Sequence, residues 1–502
     1  MKQLLCATYE GIEAQTVEVQ FTATKGLPAF TIVGMANTAI NESKERVKSA
    51  LLGNGYVFPP KRLTVNLAPS DLKKEGSHFD LAIALLIALG DKEGSTEGWY
   101  VFGELGLDGS VRDTSLIFPI ILSLARRGNI HKALVPSESV EKLSKIPGIA
   151  LYGVDSLTSA LEVLTHTNPE LTPASIAYFN HETLHHDDTP YYYEERYPID
   201  FLDVRGQEHA KRAALIAAAG MHNLLLEGSP GSGKSMIAKR LRHILPPMHN
   251  DEILECAKLD ILEGNAPTFA PLRPFRAPHH SSTQASIFGG GSHKAQIGEV
   301  GLAHGGMLFF DELPHFSKTV LEALREPLED RRIRISRVNS KVTYESDFLF
   351  VGAMNPCPCG NLLSQNQNCR CSDLEINRYR SRLSDPFLDR IDLYVQMHPT
   401  SGDDKASVSS ADLHTRVRRA FLRQKNRGQQ RFNGSLNDDE IALYCPLDAE
   451  AERMMNQAIE RYALSFRAVA RTLKVARSIA DLEDSERIDK KHLLEALSYR
   501  RR

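Results

Sequence analysis

Apolar and polar positions recur with different periods along the chain, and the changes of period divide it into parts. Within residues 1–165, Val17–Thr24 alternates as a strand does, whereas Phe79–Leu89 reads as a helix. From Asp200 to about Pro399, short apolar runs alternate with helical segments, which is typical of a parallel sheet covered by helices. Beyond that part, Ala411–Arg502 is helical throughout.

These patterns predict an α/β protein of several domains, since 502 residues exceed what one hydrophobic core supports. The predicted order is an α+β domain over 1–165, a linker over 166–199, a parallel-sheet domain over 200–399 and a helical domain over 400–502. The linker prediction rests on the polar composition of 166–199, which suits a surface segment better than a core.

Composition narrows the class of protein. The net charge is -3, so any nucleic-acid partner would have to be contacted through local basic patches rather than a global field. The longest apolar stretch, Leu81–Leu89, is far shorter than the roughly 20 residues that span a bilayer, and no secretory signal is visible. We therefore expect a cytoplasmic protein without a membrane partner.

A phosphate-binding motif stands at one predicted strand–helix junction. Asn223–Glu227 is an apolar strand, and Met236–Ile244 has the pattern of a helix. Between them lies GxxxxGK[ST], whose glycines let backbone amides converge on phosphates at a helix N-terminus. Lys234 is expected to neutralise phosphate charge and Ser235 to hold Mg²⁺, so the motif predicts an ATP site. Its residues are Gly228, Ser229, Pro230, Gly231, Ser232, Gly233, Lys234 and Ser235.

Two further strands end in polar groups that fit the same site. Met307–Phe310 is followed by Asp311 and Glu312, which are expected to reach the metal and to polarise the attacking water, respectively. Phe348–Met354 leads to Asn355, whose amide is a candidate for orienting water or contacting the γ-phosphate. The alternative for Asn355 is a structural cap before Pro356.

Four cysteines crowd into one short stretch and suggest a metal site. Their pattern is C-x-C-x9-C-x-C, and four thiolates brought together by short turns suit tetrahedral Zn²⁺. We expect such a site to be structural, with four unliganded thiols as the alternative. The ligands would be Cys357, Cys359, Cys369 and Cys371.

These motifs carry a family resemblance that covers essentially the whole chain. Several pieces resemble the AAA+ module of magnesium-chelatase-type ATPases, namely Gly228–Ser235, Phe309–Leu313, Asn355–Gly360 and Leu388–Asp392. The stretch Phe275–Thr283 points to a smaller group of proteins, because it resembles the YifB/ComM group, bacterial relatives of the chelatase motor subunit. Gly26–Gly34 and Lys74–Asp80 also resemble the amino-terminal domain of that group.

The resemblance implies a ring, usually a homo-hexamer, in which a neighbour completes each ATP site. Arg390 matches the position of the arginine finger supplied in trans, and Arg380 and Arg382 are alternatives. Arg467 resembles the lid arginine called sensor 2, which couples the γ-phosphate to lid rotation. Arg471, one turn later, is the alternative for that role.

Two elements are candidates for gripping a polymer. Arg332–Arg337 and Lys341–Tyr344 predict a β-hairpin, and family hairpins of this kind project into the ring pore. Arg337 and Lys341 flank its tip and are the candidate DNA contacts, although a solvated hairpin end is equally compatible with the sequence. The insertion Phe275–His293 resembles a second pore element.

A dense cationic stretch opens the helical domain, from Arg416 to Arg431. It would either track nucleic acid or form intersubunit ion pairs, and the sequence does not separate the two because no aromatic ladder accompanies the arginines.

Residues 1–165 resemble the Lon-type protease fold, which cleaves with a Ser nucleophile and a Lys base. Those positions fall on His78 and Phe118, so the domain is expected to lack the dyad and to act as a scaffold or docking module.

Taken together, the resemblance implies an ATP-dependent helicase with branch-migration activity on single-stranded or branched DNA, in the context of natural transformation. A chelatase-like motor that remodels a protein partner is the alternative, and a Lon-like protease or unfoldase is disfavoured by the missing dyad.

Overall fold

In a computed structural model of the chain, the described residues form two compact units. The first contains Met1–Asn180 with Ala257–Phe269, and the second contains His181–Cys256 with Ala270–Arg502. The described ranges are 2–10, 13–35, 38–90, 94–167, 172–177, 179–290, 297–336, 341–363, 368–399 and 404–501.

The first unit is built on a seven-stranded mixed sheet in the order β3-β4-β2-β1-β5-β8-β9. Its strands are β1 (Gln3–Glu10), β2 (Glu13–Thr24), β3 (Ala29–Val33), β4 (Arg62–Ala68), β5 (Tyr100–Val101), β8 (Lys132–Pro136) and β9 (Ala150–Val154), and β6 (Glu104–Leu105) pairs separately with β7 (Val111–Arg112). Its helices are α1 (Thr38–Gly53), α2 (Asp80–Leu89), α3 (Ile117–Arg126), α4 (Ser137–Leu143) and α5 (Leu157–Thr165). All ten residues of α2 are buried, which explains why that segment is apolar on every face.

The second unit contains a five-stranded, wholly parallel sheet in the order β14-β15-β18-β12-β19. Its strands are β12 (Leu224–Gly228), β14 (Phe275–Arg276), β15 (Met307–Phe310), β18 (Leu349–Met354) and β19 (Leu393–Met397). The three central strands, β12, β15 and β18, are buried along their whole length, as expected for a parallel sheet covered on both faces. The carboxyl ends of these strands therefore share one edge of the sheet.

Helices connect and cover this sheet. They are α6 (Glu208–Gly220), α7 (Lys234–Leu241), α9 (Gln284–Phe288), α10 (Glu299–Leu302), α11 (Lys318–Ala323), α12 (Arg325–Asp330), α13 (Asp373–Arg380) and α14 (Asp385–Leu388). A further helix, α8 (Asn250–Glu263), begins in this unit, and its residues from Ala257 belong to the first unit. The hairpin of β16 (Arg332–Ser336) and β17 (Lys341–Glu345) precedes β18. Short 3-10 turns cover Phe201–Asp203, Arg242–Ile244, Leu313–His315 and Asn433–Ser435.

Part of the segment assigned to a linker, 166–199, is ordered as a sheet. The strands β10 (Glu182–His186) and β11 (Thr189–Tyr193) form a hairpin, and β11 also pairs with β13 (Met248–His249). The ring of Tyr191 packs on Phe421 and accepts the Lys425 ammonium over its face. These long-range aromatic contacts give a polar, loop-like sequence a fixed structure.

The chain ends in a helical bundle of α15 (Ser410–Asn426), α16 (Asp438–Tyr444), α17 (Ala449–Tyr462), α18 (Phe466–Leu482) and α19 (Lys490–Ser498). It shares one hydrophobic core with β12, β18 and β19. The predicted helical character of this region is confirmed. Among the described residues, we find no helix with the length and apolar character needed to cross a membrane.

Candidate nucleotide-binding site

The phosphate loop lies between β12 and α7, in the strand–loop–helix context that its motif requires. Lys234 is the first residue of α7, and its side chain is 8% exposed. Its Nζ donates to the carbonyl oxygens of Gly228, at 2.6 Å, and Ser229, at 2.9 Å. Burial lowers the pKa of Lys234, while Asp311 and Glu227 oppose that effect. The ammonium is thus held inside the curve of the loop, where an anion would be attracted to it.

The loop residues fit a bound polyphosphate. The hydroxyl oxygens of Ser229 and Ser232 are buried without a hydrogen-bond partner, so the site contains polar groups that a ligand can satisfy. Gly231 and Gly233 have φ values of +80° and +93°, and the space beside Gly231 is open. Both glycines therefore allow a loop shape that L side chains rarely adopt.

The polar ends of β15 and β18 converge on this loop. Ser235 Oγ donates to Asp311 Oδ2 at 2.7 Å, and Lys234 Nζ donates to Asn355 Oδ1 at 3.2 Å. The Ser235 and Asp311 oxygens are hard ligands of the type that Mg²⁺ prefers. The structure therefore brings together Lys234, Ser235, Asp311 and Asn355. The first and the last of them are 121 positions apart along the chain.

Glu312 stands beside this group with a different partner. Its φ is +51°, and its backbone N–H donates to Asp311 Oδ1 at 2.9 Å. Its carboxylate Oε2 lies 3.4 Å from His280 Nδ1. His280 was not among the predicted site residues, although it lies in Phe275–Thr283, which resembles the YifB/ComM group. No local spacing relates His280 to Glu312, since the parallel pairing of β14 with β15 brings them together.

The four cysteines form a cluster of the size that a tetrahedral metal requires. Their sulfur atoms all lie within 4.8 Å of one another. Cys357 Sγ is 3.5 Å from Cys359 Sγ and 3.7 Å from Cys369 Sγ. Zn–S bonds of about 2.3 Å imply S···S edges of about 3.8 Å in a regular tetrahedron. Backbone hydrogen bonds from Arg370 and Asn361 lower the pKa of Cys359 to about 6.

This cysteine insert, residues 357–371, packs directly on the phosphate loop. A Cβ added at Gly360 would lie 2.6 Å from Pro230 Cδ. Gly360 also has φ +80°, so the close approach and the backbone conformation both require glycine. The insert thus supports the loop from one side.

Arg390 lies at the opposite edge of the sheet from the phosphate loop. It precedes β19, and the far end of that strand, Met397, pairs with Gly228. Its Nε donates to the carbonyl of Arg325 at 3.1 Å, and its Nη2 pairs with Glu329. Asn223 Nδ2 holds the Arg390 carbonyl at 2.9 Å. Arg390 is therefore fixed away from the phosphate loop of its own chain.

Arg467 and Arg471 lie on the same side of the unit as Arg390 and close to it. Arg467 Nη2 lies 2.9 Å from Glu329 Oε1, so Glu329 bridges Arg390 and Arg467. Arg471 donates to the carbonyl of Ile391 at 2.9 Å. The side chains of Glu329, Arg390, Arg467 and Arg471 line a cavity of about 660 Å³. Among the described residues, no hydrogen bond or ion pair joins Arg467 to the phosphate loop, so the structure places this predicted lid arginine with the finger candidate instead.

The two alternative finger residues lie near the carboxyl ends of the strands. Arg380 Nη2 is 3.4 Å from the buried carboxylate of Glu227, which directly precedes the phosphate loop. Arg382 Nη1 donates to the carbonyl of Pro314 at 3.0 Å. Both arginines are thus engaged on the side of their own phosphate loop.

Several arginines of the cationic stretch from Arg416 to Arg431 form ion pairs within the chain. Its arginines pair with acidic side chains in four places, Arg418–Glu195, Arg423–Asp484, Arg427–Asp481 and Arg431–Glu440. These ion pairs lie within one chain, whereas the expected alternative to nucleic-acid binding was ion pairs between subunits. Of the candidate DNA contacts, Arg337 lies outside the described residues, and only the backbone of Lys341 is described, within β17.

In the first unit, the positions of the expected protease dyad are buried and occupied by His78 and Phe118. His78 Nε2 lies 2.9 Å from the Ala7 carbonyl, and burial lowers the pKa of His78 to about 4. Phe118 packs edge-on against Phe269. The nearby Lys74 ammonium is bound to the Pro69 carbonyl. A neutral imidazole and a phenyl ring offer no Ser–Lys chemistry.

Comparison with known proteins gives matches along the whole chain. Residues 200–405 match the family described as magnesium chelatase, subunit ChlI, residues 17–139 match subunit ChlI of Mg-chelatase, and residues 407–500 match the ChlI C-terminal family. The YifB protein of Salmonella typhimurium is 38% identical over 509 residues, covering 98% of this chain and 95% of that protein. Competence protein ComM of Haemophilus influenzae is 36% identical over 499 residues, covering 98% and 95%.

One shorter match bears on the expected protease-like fold. An archaeal Lon protease of Archaeoglobus fulgidus is 45% identical over 51 residues, covering 10% of this chain and 8% of that protein.

Proposed function

This chain belongs to the ComM/YifB family of magnesium-chelatase-related AAA+ proteins, and from that membership we propose that it is a cytoplasmic, ATP-driven ring motor that acts on DNA. The observation that carries the proposal is that the site residues lie at opposite ends of the parallel strands, some after the carboxyl ends and one before an amino end. Lys234, Ser235, Asp311 and Asn355 are joined at one edge, whereas Arg390 is fixed at the other. Such a site is complete only when a second copy contributes its Arg390.

At the carboxyl edge, each side chain has a role in ATP hydrolysis. MgATP supplies the phosphoryl group to be transferred and the metal charge that stabilises it. Lys234 neutralises phosphate charge, and Ser235 with Asp311 holds the metal. Glu312 polarises the attacking water, and Asn355 orients it.

At the amino edge, Arg390 is the finger that stabilises transition-state charge in the neighbouring copy's site. Arg467 lies beside it through Glu329, so we assign the lid arginine to the same neighbouring site. A head-to-tail contact of this kind closes into a ring, for which we propose six subunits as in the family.

We infer the DNA substrate from the relatives of this chain and not from a basic surface. ComM is a competence protein by name, and we propose helicase and branch-migration activity that promotes integration of single-stranded DNA during natural transformation. The hairpin of β16 and β17 is the proposed DNA-binding element, and Arg337 and Lys341, which the sequence predicts to flank its tip, are the proposed contacts.

We assign Zn²⁺ to Cys357, Cys359, Cys369 and Cys371, where it would close a structural site. Such a metal would stiffen the insert that supports Pro230 through Gly360. The first unit is proposed to be a Lon-like domain that serves as a docking scaffold, because His78 and Phe118 occupy the dyad positions.

A second candidate function is remodelling of a protein partner, as a chelatase-type motor. The matches of three segments to ChlI families favour it. The two functions differ in what stimulates hydrolysis.

The deciding experiment is steady-state ATP hydrolysis with and without single-stranded and branched DNA, using Lys234→Ala and Arg390→Ala as controls. We expect DNA to stimulate the wild-type chain severalfold and both variants to be inactive. Robust hydrolysis that is indifferent to DNA would reject the DNA motor in favour of the protein-remodelling candidate. Hydrolysis that survives Lys234→Ala would reject the assigned site.

A further inference from the structure

A buried histidine lies between the segment that carries Arg390 and the helix that carries Arg467. His222 is fully buried in the short connection between α6 and β12, and its Nε2 lies 2.7 Å from Ser478 Oγ of α18. Its Nδ1 lies 3.7 Å from Asp392 Oδ2, two residues after Arg390. The imidazole therefore contacts both elements that hold the arginines assigned to a neighbouring copy's site.

The hydrogen bonds around Ser478 fix the ring of His222. Asn433 Nδ2 donates to Ser478 Oγ at 3.0 Å, and Gln429 Nε2 donates to Asn433 Oδ1 at 2.9 Å, which sets the orientation of that amide. The Ser478 hydroxyl then donates its own proton to His222 Nε2. The ring proton is therefore on Nδ1, where it points toward the Asp392 carboxylate.

The residue beside His222 holds the Arg390 segment directly. Asn223 Nδ2 donates to the Arg390 carbonyl oxygen at 2.9 Å, and Asn223 N donates to Asp392 Oδ2, also at 2.9 Å. Burial favours the neutral form of Asp392, yet His222 and the Asn223 N–H outweigh it and hold the pKa of Asp392 below its usual value. A displacement of His222 would therefore be transmitted to the segment that carries Arg390.

On the other side of the ring, Ser478 anchors the helix that carries Arg467. The two residues are 11 positions apart in α18, about three helical turns. Ser478 and Asp481 are buried, and both accept hydrogen bonds from Asn433, so this end of α18 is fixed in the core. The side chain of Arg467 is 70% exposed at the other end. Its direction thus depends on how the buried end is held.

We propose that His222 is a positioning residue that joins the Arg390 segment to α18, so that Arg390 and Arg467 reach a neighbouring copy's ATP site as one unit. The inference rests on the proposed function, since it takes both arginines to act between copies. Breaking the bond between His222 and Ser478 should impair a chain as a donor of arginines. Its own phosphate loop should stay competent, because that loop follows the far end of β12.

The first measurement is steady-state ATP hydrolysis by full-length His222→Asn, His222→Gln and Ser478→Ala. Asparagine is too short to reach Ser478, and Ser478→Ala removes the hydroxyl. Both changes should lower kcat by about tenfold with KM for ATP unchanged, since misplacing a catalytic group by about 1 Å costs up to about 100-fold. The loss is partial because Arg471 still bonds to the Ile391 carbonyl. His222→Gln carries an amide near the position of Nε2 and should retain the wild-type rate.

Mixed assemblies separate the donor role from a general structural effect. Lys234→Ala chains supply intact arginines, so a random equimolar ring of Ser478→Ala with Lys234→Ala has about a quarter of its interfaces complete and should recover about a quarter of the wild-type activity per subunit. Mixed with Arg390→Ala, Ser478→Ala must itself supply the arginines, and this mixture should be about tenfold less active than wild type mixed with Arg390→Ala.

The matched control is another buried hydroxyl of α18. Among the described residues, Thr472 Oγ1 hydrogen-bonds only within its own helix, to the Ala468 carbonyl at 2.8 Å. Thr472→Val removes that hydroxyl without touching His222 and should leave kcat unchanged.

An unchanged kcat in Ser478→Ala, an equal loss in Thr472→Val or His222→Gln, or no recovery with Lys234→Ala would overturn the proposal. Ser478→Ala alone decides the question if His222→Asn fails to fold. A mixture of Lys234→Ala with Arg390→Ala that stays inactive would instead overturn the proposed function, because the arginines would then not act between copies.

Discussion

Two variants that are each inactive should restore activity when they are combined in one ring. Lys234→Ala removes the phosphate-binding ammonium but keeps the finger, whereas Arg390→Ala keeps the phosphate loop and removes the finger. Gly228 pairs with Met397 at one end of β19, and Arg390 precedes Leu393 at the other end. Those strand residues span about 13 Å, so one chain cannot bring its own Arg390 to its own phosphate loop.

The size of the restored activity follows from counting interfaces. Arg390→Ala alone should lower kcat by about 10³-fold or more, as expected for a finger supplied in trans. In a random equimolar ring, about half of the phosphate loops are intact and about half of their neighbours carry Arg390, so about a quarter of the interfaces are complete. The mixture should therefore recover about a quarter of the wild-type activity per subunit.

The assay is steady-state phosphate release after the two variants are dissociated at high salt, mixed and reassembled. A mixture of Lys234→Ala with the doubly substituted Lys234→Ala/Arg390→Ala chain is the control and should stay inactive. If the first mixture is no more active than its components, Arg390 does not act between copies and the placement argument is wrong.

Three further predictions concern single positions. Gly360→Ala would introduce backbone strain of about 1–3 kcal/mol and a close contact with Pro230, so the variant should bind a fluorescent nucleotide more weakly. The control is Gly428→Ala, since Gly428 has a similar φ and open space around it, and this variant should bind the nucleotide normally. Cys369→Ser should abolish the single zinc per chain measured by elemental analysis and lower Tm, whereas zinc-free wild-type protein with four titratable thiols would contradict the site. Burial lowers the pKa of His78 to about 4, below its usual 6.5, so the unfolded chain binds the extra proton between those values. The free energy of unfolding of the first unit should therefore show no loss from His78 above pH 6.5, and should fall by about 3 kcal/mol as the pH drops to 4. Hydrogen exchange at pH 5 and 7 should show this loss, and His78→Leu should remove it.

The sequence alone determined the parts of the site that depend on neighbouring residues. The phosphate loop is contiguous, and the strand before it and the helix after it were predicted from their own composition and are confirmed. Asp311 and Asn355 were predicted because polar groups that follow buried parallel strands must meet at one edge. The short spacing of the cysteines likewise predicts their proximity, which the structure confirms.

Only the tertiary structure decided between residues that are equivalent in pattern. Arg380, Arg382 and Arg390 lie within a dozen positions, yet their contacts differ in which edge of the sheet they face. Arg467 was expected from family resemblance to serve the γ-phosphate, and its pairing with Glu329 is what places it beside Arg390. The cationic stretch was ambiguous in the sequence, and the structure shows its acidic partners, the most distant of which is Glu195 beside Arg418.

No pattern in the sequence predicted that Gly360 packs on Pro230 or that His280 approaches Glu312. Each contact joins two loops whose positions are set by the order of strands in the sheet. Periodicity reports which face of an element is buried, because that depends on neighbouring residues. It carries no information about which loops meet, because that depends on how distant strands pair.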